Sequence, residues 1–161
     1  MFELVLAVKN KLPAAPVLRA LTPADYDAVF ALWQASEGMG LNESDTRDAI
    51  ASYLVRNPGL SLVAEVENKI AGAVLCGHDG RRGYLHHLAV AHQYRRSGLG
   101  RALVDESLAR LRAQGITKCN IFLYAANAAG RAFWLHEGWA PREDLVVVQK
   151  SVSARAQSTG C

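Results

Sequence analysis

The stretch Gly83-Tyr-Leu-His-His-Leu-Ala-Val-Ala-His-Gln-Tyr-Arg-Arg-Ser-Gly-Leu-Gly-Arg101 decides how this chain folds. Tyr84 to Val90 is rich in aromatic, β-branched and aliphatic residues and has no Pro or Gly, the composition of a strand. The turn Arg95-Arg96-Ser97-Gly98-Leu99-Gly100 follows, and a helix is expected from about Leu99. Glycine lets the backbone bend and approach a ligand closely, and the free N–H groups of a helix N-terminus point at an anion. Arg95, Arg96 and Arg101 concentrate positive charge at the same place. The stretch therefore predicts a diphosphate-type anion site at the end of a strand.

Two common nucleotide turns do not fit. A dinucleotide-binding G-x-G-x-x-G fails because Leu103 stands where the third glycine belongs. The P-loop pattern G-x-x-x-x-G-K-[ST] is absent. Composition is that of one ordinary globular domain: 161 residues, 50% hydrophobic, 20% charged, net charge +3. So small a positive charge suits an anionic cofactor and gives no case for nucleic acid. No apolar run approaches the roughly 20 residues of a membrane span, and Met1-Phe2-Glu3-Leu4 lacks the basic start of a signal peptide. Cys76, Cys119 and Cys161 have no metal-like spacing; the first two fall in predicted strands, as buried free thiols. No metal is expected, and a cytoplasmic location fits best.

Around the central stretch the chain alternates strand and helix signals. Residues 1–16 read as an N-terminal arm in which Leu4 to Val8 is an extra strand or a loose segment. Val17 to Leu21 starts the domain proper as a short strand. Thr22-Pro23-Ala24-Asp25 supplies an N-cap, a proline at the first helical position and an acid in the first turn. Gly38 stops that helix, and a second runs from about Ser44 or Asp45 to Asn57-Pro58-Gly59. Leu60 to Glu67 and Ile70 to Gly77 form a hairpin about a tight Asn68-Lys69 turn. After the helix from Leu99, which Gly115 ends, come a strand over Cys119 to Tyr124, a helix from Asn127 to about Glu137 that Gly138 ends, and a last strand over Leu145 to Gln149. Ser151 to Cys161 is small and polar, the composition of a disordered tail. The order β-α-α-β-β-β-α-β-α-β predicts an α/β (α+β) layer fold, a mixed sheet flanked by helices over residues 17–150.

Arg95-x-x-Gly98-x-Gly100, directly after Leu88-Ala89-Val90, resembles the acyl-CoA-binding motif of the GNAT superfamily, the Gcn5-related N-acetyltransferases. Asn127-Ala-Ala-Gly-Arg-Ala-Phe-Trp-Leu-His-Glu-Gly-Trp139 looks like the family's N-x-x-A-x-x-[FL]-[YW]-x-x-x-G-[FWY] helix. The resemblance implies a GNAT fold and an N-acetyltransferase that moves an acetyl group directly from acetyl-CoA to an amine. The amides of Arg96, Ser97, Gly98, Leu99 and Gly100 would hold the pyrophosphate. A splay at Leu88-Ala89-Val90 would let the Leu88 amide meet the thioester oxygen and Val90 pair with the pantetheine arm. Asn127 is a helix cap and a candidate pantetheine partner. Arg131 can reach a phosphate or be solvated, and Trp134 is core or a wall of the channel.

His86-His87-Leu88-Ala89-Val90 resembles the His-Ala-Leu-Ala-Val segment of the arylalkylamine N-acetyltransferases, whose catalytic histidine falls on His86, and an imidazole of pKa about 6.5 can take a proton from an amine. Strand alternation places His86 and His87 on opposite faces. Trp134 stands where many relatives carry a Tyr that protonates the thiolate; indole cannot give up its proton usefully, and Tyr124 is the alternative acid. Phe122 stands where some relatives carry a base glutamate. The acceptor pocket is expected from the Gly38–Asn42 loop, the Asp79–Arg82 reversal and the strand end near Tyr124. Glu37, Glu43 and Asp79 would suit a cationic amine, and His78, Arg81 and Arg82 a carboxylate. The rival to an enzyme is a non-catalytic acyl-CoA sensor or scaffold. A homodimer through a sheet edge or the arm is compatible with either.

Overall fold

The computed structural model describes residues 14–152. Its elements are β1 (Val17–Ala20), α1 (Tyr26–Gln34), α2 (Arg47–Arg56), β2 (Leu62–Val66), β3 (Lys69–His78), β4 (Gly83–Val90), α3 (Leu99–Ala113), β5 (Cys119–Ile121) and α4 (Ala128–His136). The five strands lie in chain order, antiparallel except for β4 and β5, which run parallel. Parallel neighbours need a crossover, and α3 supplies it.

The start of α1 follows its sequence signal, whereas α2 starts at Arg47 and not at Ser44 or Asp45, which belong to a separate 3-10 turn over Glu43–Asp45. Pro23–Asp25 makes one 3-10 turn that feeds α1. The Asp25 carboxylate accepts the Thr22 N–H at 2.8 Å and the Thr22 hydroxyl at 3.0 Å. Arg19 reaches Asp25 at 2.8 Å and Glu65 at 2.7 Å, tying β1 to the entrance of α1 and to β2. Its guanidinium holds the Asp25 carboxyl down at about 2. Thr46 caps α2 by accepting from the Ala49 N–H, and Asn57 ends that helix.

Period-two alternation divides the core between the two faces of the sheet. Leu62, Ala64 and Val66 of β2, with Val74 and Cys76 of β3, pack under α3 and Trp134 of α4. Val63, Ala73 and Leu75 face Val29 and Trp33 of α1 and Ile50 and Leu54 of α2. Burial raises the Cys76 thiol to about 12 and the Cys119 thiol to about 11, so both are neutral, unreactive groups.

Three differences from the sequence reading concern the sheet. The hairpin turns at Glu67-Asn68, one residue earlier than expected. Both residues take positive φ (50° and 62°), the two-residue turn that matches strand twist, and Lys69 already pairs with Val66. The strand predicted over Cys119 to Tyr124 stops at Ile121, because its pairing with β4 ends at Leu85↔Ile121. Leu145 to Gln149 forms no strand. The run has high strand propensity but no neighbour in the sheet, and Val146 and Val148 are fully exposed. The order among the described residues therefore ends on α4. The expectations for the N-terminal segment Leu4 to Val8 and for the tail beyond Val152 lie outside the described residues.

Candidate active site

The turn between β4 and α3 is built almost wholly from backbone. His92–Tyr94 makes a 3-10 turn, after which Arg96 and Gly98 adopt left-handed backbone (φ 60° and 83°). Gly98 is the residue ahead of α3, where glycine meets this geometry without steric cost. No N–H group from Arg96 to Arg101 has an acceptor among the described residues. Unpaired amides that converge at a helix N-terminus form a concavity suited to an anion. A Cβ on Gly100 would meet Phe133 at 3.5 Å and Val90 at 3.6 Å, so α4 and the end of β4 floor the turn.

The surrounding arginines are already engaged. Arg95 Nε donates to the Val90 carbonyl at 3.2 Å. Arg101 lies 3.4 Å from Glu137 and 3.6 Å from Asp105, and Arg131 is 3.8 Å from Glu143. The Ser97 hydroxyl donates to the Tyr94 carbonyl.

Next to this turn β4 and β5 part. They pair through Gly83↔Cys119, Tyr84↔Asn120 and Leu85↔Ile121 and no further, while β4 continues to Val90. A bulge lies at the point of parting. Leu75 pairs with His86 and Ala73 with Ala89, so His87 and Leu88 together oppose Val74, and His87 has φ 51°. The extra residue resets the alternation. Leu88 and Val90 turn to the α3 side and Ala89 to the α1 side.

The bulge also overturns the expectation that His86 and His87 point to opposite faces. Both imidazoles meet side chains of the α1–α2 layer. His86 stacks on Tyr84 and Phe122 at 6.3 Å each, with Tyr53 of α2 edge-on at 6.4 Å. His87 Nε2 is 2.7 Å from Asp45 Oδ1, and its ring tilts against Trp33 at 5.0 Å. Burial, aided by neighbouring His87 and opposed by Asp45, lowers the His86 pKa below its ordinary value. A lowered pKa keeps the ring neutral, the form able to accept a proton.

The remaining residues singled out in the sequence gather less evenly. Tyr124 is 63% exposed, and a Cβ on Gly40 would fall 1.9 Å from its hydroxyl. Asn127 caps α4, its Oδ1 accepting the Gly130 N–H at 2.8 Å. Its side chain also packs on Gly38, where a Cβ would come within 2.6 Å of Nδ2. The loop after α1 thus closes onto the β5–α4 junction only because Gly38 and Gly40 lack side chains. Trp134 is buried, edge-on to Phe133 at 5.1 Å and Trp139 at 4.8 Å, a core position. The Asp79–Arg82 reversal lies at the opposite end of the β4–β5 pairing, where Arg81 and Arg82 share a concavity with Thr117 and Lys118. Asp79 is committed to that reversal, accepting from the Arg81 and Arg82 amides at 2.8 Å.

Sequence reasoning missed Asp45, Trp33, Tyr53 and Tyr84 as neighbours of the two histidines. The signal nearest to one was Asn42-x-x-Asp45, a capping pattern that buries the acid. A concavity of about 450 Å³ lies at the other end of α3 among Leu108, Leu111, Arg112 and Ile116, away from the turn. Among the described residues no cluster of His, Cys, Asp and Glu could hold a metal, and no helix is long and apolar enough to cross a membrane.

Residues 26–139 match the family model described as the acetyltransferase (GNAT) family. The chain belongs to the GNAT acetyltransferases. An acetyltransferase of Sodalis glossinidius is 31% identical over 112 residues, which cover 70% of this chain and 78% of that protein. Two solved structures share the fold. Ard1 from Thermoplasma volcanium has a TM-score of 0.70 at 22% identity, over 79% of this chain and 84% of that one. PaiA N-acetyltransferase from Thermoplasma acidophilum, solved in complex with coenzyme A, has a TM-score of 0.67 at 16% identity, over 76% and 88%. In this GNAT domain the matched span holds the turn, the bulge and the α4 cap together.

Proposed function

We propose that this GNAT acetyltransferase transfers an acetyl group from acetyl-CoA directly to a primary amine, of a small molecule or of a peptide or protein. The observation that carries the reading is the placement of a turn of unpaired amides, 96–101, beside the splay of β4 from β5. The amides of Arg96, Ser97, Gly98, Leu99, Gly100 and Arg101 bind the diphosphate, with Arg95 and Arg131 at its rim. The backbone of Ala89 and Val90 lies along the pantetheine arm, which leaves the Leu88 N–H to polarise the thioester carbonyl. For Val90 this requires its carbonyl to exchange the Arg95 guanidinium for the ligand.

His86 stands at the mouth of the splay and takes the proton as the amine attacks. The acetyl C–S bond breaks as the C–N bond forms, and the leaving thiolate takes a proton from water or from Tyr124. Buried Trp134 serves as packing behind the channel, and Asn127 holds the end of α4 against it. No covalent enzyme intermediate is involved, since neither Cys76 nor Cys119 has a base beside it and burial raises both thiols.

Thiol release from acetyl-CoA tests this against polyamines, amino acids, aminoglycosides, arylalkylamines and peptides with free N-termini or lysines. Turnover of one class, lost in His86→Ala with CoA binding kept, is the expected result. Undiminished turnover in that variant would remove His86 from the mechanism. Bound acetyl-CoA with no turnover across the panel would point to a non-catalytic role.

A further inference from the structure

We infer that Asp45 and His87 are positioning residues for the transfer: the pair braces the bulge of β4 against the loop ahead of α2. In doing so it sets where the Leu88 amide and the His86 imidazole stand. The inference rests on the reading of acetyl transfer at this bulge.

A histidine at φ 51° is in a backbone region that residues with a Cβ avoid, so contacts elsewhere must hold it there. Three contacts do. Asp45 Oδ1 lies 2.7 Å from Nε2, the Trp33 ring lies against the imidazole, and the His87 carbonyl accepts the Trp33 indole N–H at 3.0 Å. As a carboxylate Asp45 can only accept, so His87 presents Nε2–H to it. Asp45 is itself fixed. It is 5% exposed, its Oδ2 accepts the Asn42 N–H at 2.9 Å, and its carbonyl accepts the Tyr26 hydroxyl at 2.7 Å. The brace therefore runs from α1 through the Asn42–Asp45 turn to the centre of the sheet.

The bulge is what brings Leu88 and Val90 to the α3 side and Ala89 to the α1 side. Relaxing it by one residue would exchange those faces, because strand side chains alternate. The residues the reaction uses flank the braced one on both sides, so a slack brace misplaces both while the turn at 96–101 stays as it is.

The test follows backbone amide shifts of the 15N-labelled full chain as acetyl-CoA is added, alongside kinetics on any acceptor that turns over. In the wild type, Leu88, Gly98 and Gly100 should all respond. In Asp45→Asn and His87→Gly the Gly98 and Gly100 shifts should persist and the Leu88 shift should be lost. With an acceptor, kcat should fall by about 10- to 100-fold while KM for acetyl-CoA holds. His87→Gly is informative because glycine takes the same φ without strain and lacks the imidazole that meets Asp45 and Trp33. His87→Gln, which keeps a donor at similar reach, should recover both readouts, and it carries the test if Asp45→Asn does not fold. A wild-type Leu88 response in Asp45→Asn or His87→Gly would overturn the proposal, as would a parallel loss at all three amides with a lower melting temperature. Absence of any Gly98 or Gly100 shift in the wild type would instead remove the acetyl-CoA reading, and with it anything for the brace to position.

Discussion

The turn at 96–101 and the bulge at 86–88 lie a few residues apart on one strand–helix unit, yet they are made in opposite ways. The turn is local. Its geometry comes from Gly98 and the first residues of α3, and the groups it leaves unpaired are main-chain amides that any side chain would provide. The bulge is tertiary. Its two histidines meet Asp45, Trp33 and Tyr53, contributed by elements more than thirty positions earlier in the chain. Backbone chemistry survives side-chain drift as long as the glycines remain. Side-chain chemistry survives only if a whole layer stays in register. Anchoring of the cosubstrate and the chemical step should therefore fail separately under mutation.

The largest separation should come from Gly100→Glu. It places a carboxylate among the amides proposed to hold the diphosphate, a like-charge contact worth several kcal/mol, so CoA affinity should drop by about a thousandfold in calorimetry. Gly100→Ala should bind almost normally, because its methyl group meets Phe133 and Val90 at ordinary contact distance. If both variants bind equally well, the turn is not the anchor. His86→Ala should do the reverse, lowering kcat/KM by about a hundredfold or more with CoA affinity intact. The pH profile sharpens this. Burial lowers the His86 pKa, so the limb that this ring adds to the kcat/KM profile, beside that of the acceptor amine itself, should lie below the ordinary imidazole value of about 6.5, where the ring protonates and can no longer accept. A profile left unchanged in the alanine variant would assign the base to another group.

Gly40→Ala should have a smaller effect, on the acceptor alone. Its methyl group would collide with the Tyr124 hydroxyl, so loop or ring must move, and acceptor KM should change about tenfold at unchanged CoA affinity. Tyr124→Phe should be smallest, a loss of a few-fold in kcat if water can protonate the thiolate. A hundredfold loss would make Tyr124 the acid.

What was legible in the sequence divides along the same line. Thr22-Pro23, Asn57-Pro58-Gly59 and Arg95-x-x-Gly98-x-Gly100 are each decided by neighbours in the chain, and the structure has a helix entry, a helix stop and an amide turn at those places. His87 gave no warning of positive φ, because the force that holds it there is a carboxylate from another layer. The same cause misassigned the facing of the two histidines: alternation is a local rule, and the bulge suspends it. Leu145 to Gln149 failed for a related reason. Strand propensity is a preference for a half-buried pleated surface, and the sheet offers this run no adjoining strand.

The splay of β4 from β5 has a thermodynamic side as well. Past Leu85 and Ile121 the sheet is an unfinished ladder, and a ligand that lies along β4 acts as its missing rung. Such a ligand becomes part of what melts. At a concentration a hundred times its Kd it adds about 2.7 kcal/mol to the folded state, roughly 5 to 10 °C for a domain of this size. Heat resistance of the purified protein would thus report how fully its cleft is filled.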